Sequence, residues 1–78
     1  DKALNSFRRA ARLFPNHLGV HLNLVQALVA DMKEFGVSDE NMDTCLTSLA
    51  KVERKIKPGH AQLDRYRQLQ HMVRSLGQ

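Results

Sequence analysis

The stretch LGVHLNLVQALVADMKEF, Leu18 to Phe35, decides the fold. Leu18, Val20, Leu22, Leu24, Val25, Leu28, Val29, Met32 and Phe35 cover most of a helical wheel, so one neighbour cannot bury them all. The segment therefore reads as a central helix with partners on several sides. Only Gly19, Asn23, Gln26, Ala30 and Lys33, which recur at helical spacing, are small or polar. They form one reserved stripe on an otherwise greasy rod.

Outward from this helix, both flanks carry the same type of pattern. Ala3, Leu4, Phe7, Ala10, Ala11 and Phe14 repeat at three and four residues, which predicts a first helix closed by Pro15. Asn16 is the expected N-cap of the central helix, and Gly36 its expected stop in a left-handed conformation. Ser38 should cap a third helix with Asp39, Glu40 and Asp43 near its positive end and Lys51, Arg54, Lys55 and Lys57 toward its negative end. Its buried stripe reads Met42, Cys45, Leu46, Leu49, Val52 and Ile56. After Pro58-Gly59 a fourth helix is expected from about His60 to Leu76, with Leu63, Tyr66, Leu69, Met72, Val73 and Leu76 inward.

No strand-type alternation occurs, so the fold class is all-α, with short connectors that imply four antiparallel helices in one domain over residues 1–78. With 78 residues, 42% of them hydrophobic, the chain suits a single small core. The lone Cys45 cannot form an internal disulfide and is compatible with a reducing compartment, so cytoplasm is the expected location. Asn23, Gln26 and Asp31 interrupt the most apolar run, which argues against a membrane span. The chain opens on Asp1 and enters an amphipathic pattern at once, as a C-terminal piece of a longer protein would.

The series Ala3, Phe7, Ala10 and Pro15 resembles the second helix of a tetratricopeptide repeat with its closing proline. At the positions where the next repeat would carry Trp, Leu, Gly and Tyr, this chain has His21, Leu24, Val25 and Leu28, so only Leu24 agrees. Pro15 and Pro58 also stand further apart than the family period of about 34 residues. The resemblance is thus to degenerate, terminal repeats, with the fourth helix as the polar cap of a stack. The tail further resembles the repeats found behind receiver domains in some bacterial response regulators, which implies a role in signal transduction.

The resemblance implies a protein-interaction module without chemistry of its own. Its groove would be lined by Gly19, Asn23, Gln26, Ala30 and Lys33, joined by Gln62 and Arg65 from the fourth helix. The Lys and Asn pattern with which chaperone adaptors clamp a terminal carboxylate is missing, since Leu22 and Gln26 occupy those places. The expected partner is a peptide or helix of another protein.

Two rival readings follow from the residues themselves. The net charge of +4 and the sets Arg8, Arg9, Arg12 and Lys51, Arg54, Lys55, Lys57 would suit nucleic acid if they shared one side, though no recognition helix stands out. Alternatively, Leu4 and Ala11 beside the main stripe of the first helix would let the chain cap a larger protein or form a homodimer. No cofactor or metal is expected: His17 and His21 are four apart but lack further ligands, and Cys45 lies on an apolar stripe where a thiol is inert.

Overall fold

The computed structural model describes residues 2–77, and these form four α-helices and no strand. They are α1 (Lys2–Leu13), α2 (Leu18–Phe35), α3 (Asp39–Lys55) and α4 (Leu63–Leu76). None is long and apolar enough to cross a membrane. α2 packs against each of the other three, α3 also meets α4, and α1 packs its backbone on α2 and reaches α3 through side chains. The organising role expected for Leu18–Phe35 follows from this arrangement. Leu22, Val25 and Leu28 are wholly buried, and Leu24, Val29 and Met32 nearly so, against Cys45, Leu49 and Val52 of α3 and Tyr66, Leu69 and Val73 of α4. α1 contributes Leu4, Phe7 and Ala11, all only partly covered.

Several apolar side chains expected inside lie outside. Phe14, Phe35 and Leu46 are more than half exposed and Met72 is over a third exposed, whereas Ser48 is buried. The reason is the number of neighbours: α2 packs closely on three helices, α3 and α4 on two each, and α1 on α2. Each outer helix therefore buries a narrower arc than its sequence offers.

The caps differ from expectation in three places. His17, not Asn16, caps α2, its Nδ1 accepting the Val20 N–H at 3.1 Å. Asn16 instead accepts a hydrogen bond from Lys55 Nζ. Gly36 has φ +106° as a stop glycine should, but its ψ of 154° is extended rather than left-handed helical. α4 begins at Leu63, because Gly59 turns at φ +84° and His60 Nδ1 then takes the Gln62 N–H, holding the chain in turns for three further residues. Ser38 caps α3 as expected, with its hydroxyl accepting from Asn41 N–H at 3.1 Å.

Candidate functional site

The polar stripe of α2 stays open. Asn23, Gln26, Ala30 and Lys33 are exposed and Gly19 is half-buried. α4 lies beside it, and Arg65 reaches across to donate from Nη2 to Asn23 Oδ1 at 2.7 Å and to Gln26 Oε1 at 2.6 Å. One turn earlier the Gln62 amide lies close to Gly19, about 3.9 Å from where a side-chain carbon would stand there. Six of the seven residues singled out from sequence are thereby gathered on one strip: Gly19, Asn23, Gln26 and Ala30 of α2 with Gln62 just before α4 and Arg65 within it. Lys33 stands a further turn along α2, and its side chain has no bonded partner among the described residues.

The chemistry of this strip is donor-rich. An arginine carries five N–H groups, and two on Nη2 are used, which leaves Nη1 and Nε for a visitor. Because Asn23 and Gln26 spend their oxygens on Arg65, their NH₂ groups remain as donors too. Alongside runs a shallow groove of about 430 Å³ lined by Phe7, Asn23, Gln26, Ala27 and Ala30. Polar donors thus border a small apolar trough between α1 and α2.

A larger cleft of about 650 Å³ lies on the opposite side of α2 and was not foreseen from sequence. Asn5, Arg8, Ala11 and Arg12 of α1 form one wall, and Asp43, Thr44, Thr47, Ser48 and Lys51 of α3 the other. His21 and Leu24 of α2, only 2% and 4% exposed, lie beneath. Two bonds tie the walls: Arg8 Nη2 donates to Asn41 Oδ1 at 2.9 Å, and Lys55 donates to Asn16. Of the two basic sets, Arg8, Arg12 and Lys51 share this cleft. A signal for it was present, since Asn5, Arg8 and Arg12, like Thr44, Thr47, Ser48 and Lys51, repeat at helical spacing on a polar face.

The histidines part company. His17 caps α2, while His21 is buried with Nε2 2.7 Å from the Pro15 carbonyl oxygen. A carbonyl only accepts, so Nε2 carries the proton and Nδ1 of the neutral ring is a bare acceptor. That Nδ1 is buried without a hydrogen-bond partner. Cys45 is fully buried, and burial pushes its thiol up to about 11, against a smaller opposing pull from Arg8.

No family model matches the chain, nor does any curated protein or solved structure.

Proposed function

We propose that this chain is a non-catalytic protein-interaction module of the tetratricopeptide type, which receives a peptide or helix of a partner along the α2–α4 strip. The observation that carries the reading is the Arg65 guanidinium held on two amide oxygens of α2. A long cation fixed before the partner arrives loses less rotamer freedom on binding, so more of its interaction reaches the affinity. The donors left on the strip suit backbone carbonyls or a carboxylate, and the adjoining trough between Phe7 and Ala30 suits a small apolar side chain.

Two features of the packing support the repeat-like reading. Arg8 of α1 meets Asn41 near the start of α3 and Asn16, just past α1, meets Lys55 at the end of α3, while Gly19 meets Gln62 just before α4 and Asn23 meets Arg65 within it, so each pair of elements runs in the same chain order. Alternate helices running in one sense are what consecutive antiparallel hairpins would give. Leu22, at a place where chaperone adaptors carry a clamp residue, is wholly buried and speaks against a chaperone tail as ligand.

The test is a selection of displayed peptides on the immobilised full chain, followed by titration of an enriched peptide against Gln26→Ala/Arg65→Ala. The double variant loses only exposed hydrogen bonds, so its stability should fall by no more than about 1 kcal/mol. Affinity should fall by about tenfold or more. Peptides that bind the variant undiminished would refute the strip as the site.

A further inference from the structure

The α1–α3 cleft is built differently from the rest of the molecule. Elsewhere neighbouring helices meet through apolar side chains, but here two walls with polar faces stand apart over a buried floor, tied among the described residues by Arg8–Asn41 and, past the end of α1, by Asn16–Lys55. Its volume of about 650 Å³ falls in the range of ligand clefts, roughly 300–1,000 Å³. Arg8, Arg12 and Lys51 face a single carboxylate, Asp43, so the cleft carries an excess of two positive charges.

We infer that the cleft between α1 and α3 binds a phosphate monoester dianion, seated toward Arg12 and Lys51. The position follows from how the other polar groups are engaged. Arg8 is partly spent on Asn41, and Thr44 Oγ1 donates to Glu40 O at 3.0 Å, both at the end that also holds the repelling Asp43. One to two turns further along α3, the hydroxyls of Thr47 and Ser48 have no partner among the described residues, and Lys51 closes the row. Arg12 faces them from α1 and offers the planar fork that matches two phosphate oxygens.

The floor adds no competing acceptor at the surface: His21 and Leu24 are only 2% and 4% exposed, so an anion in the cleft is held by the cations and hydroxyls of the walls alone. Among the lining residues there is no Phe, Tyr or Trp on which a base could stack, and the charge excess matches one dianion rather than a run of singly charged diesters. The chemistry is therefore that of a terminal phosphate, carried by a phosphorylated side chain or by a small ester.

The experiment is a titration of the ¹⁵N-labelled full chain at pH 7.5 with inorganic phosphate, a capped phosphoserine peptide, dimethyl phosphate and a single-stranded oligonucleotide lacking terminal phosphates. Inorganic phosphate and the phosphopeptide should shift amide signals of residues 8–12 and 44–51, with dimethyl phosphate about tenfold weaker or worse. Arg12→Gln and Lys51→Gln, both on exposed side chains, should each weaken binding about tenfold while the thermal midpoint holds, and Asp43→Asn should tighten it. A phosphopeptide tighter than inorganic phosphate marks a protein source, and equal affinity a small ester. Binding that survives both charge-neutral variants, shifts confined to Arg54–Lys57, an oligonucleotide that binds more tightly than phosphate, or no shifts at all would each overturn the assignment.

Discussion

Leu28→Ala is expected to destabilise the chain by about 2–5 kcal/mol, enough to lower the thermal midpoint by roughly 10–25 °C in a domain of this size. The side chain is 0% exposed in the middle of the helix whose backbone packs closely against all three others. Its removal strips methyl groups from contact and leaves a hole that no single neighbour can collapse into, because the surrounding residues come from different helices. A small domain holds about 5–10 kcal/mol in total, so the variant should sit near its unfolding threshold at 37 °C. Leu46→Ala is the paired control. That side chain is 53% exposed, so the same chemical change should cost no more than about 0.5 kcal/mol. Urea denaturation followed by circular dichroism would measure both. Equal losses would mean that α2 is not the spine of the fold.

The contrast between Leu28 and Leu46 also marks where sequence reading succeeds and where it stops. Apolar residues around most of a wheel require burial on several sides, and Leu18–Phe35 has that property whatever its neighbours are. Its bounds accordingly match the observed α2. Leu46 and Met72 sit at the margins of one-sided stripes, and whether a margin is covered depends on how far the next helix reaches, which periodicity does not encode. For these two the answer is outward, while Ser48, which no apolar stripe includes, is buried beside Cys45 and Leu49 on the same helix.

The two candidate sites divide in the same way. The α2–α4 strip was legible because its polar residues interrupt an apolar helix, and each interruption is visible within one element. Arg65 meeting Asn23 and Gln26 needed only that α4 lie alongside. The α1–α3 cleft was only half legible: its polar faces, Asn5, Arg8 and Arg12 on one side and Thr44, Thr47, Ser48 and Lys51 on the other, recur at helical spacing, but that the two helices stand apart leaves no mark in either sequence. His17 illustrates a smaller gap. Cap preferences rank Asn above histidine, yet an imidazole Nδ1 accepts a backbone N–H equally well when Asn16 is drawn away by Lys55.

Cys45 should react with iodoacetamide at pH 8 at least about a hundredfold more slowly in the folded chain than in urea. Only the thiolate attacks, and a thiol raised from 9.0 to about 11 has roughly a hundredth of the thiolate at that pH; full burial then blocks the reagent as well. The same shift sets the alkaline limit of the fold. Below pH 9 the thiol is protonated in both states and contributes nothing to the slope. Between 9 and 11 the unfolded chain gives up the proton while the folded chain keeps it, so the unfolded state binds fewer protons and stability falls as pH rises. The loss approaches about 2–3 kcal/mol once the folded thiol also ionises. Tyr66, whose phenol is raised first by burial and then by the nearby Glu53 charge, extends the decline above pH 10. Cys45→Ala removes the thiol but not the tyrosine, so the stability difference between wild type and variant should shrink from pH 8 to pH 11. A constant difference, or equal alkylation rates in the folded and unfolded chain, would mean that the α2–α3 seam opens readily enough to hydrate the sulfur, and with it the core that presents both polar surfaces.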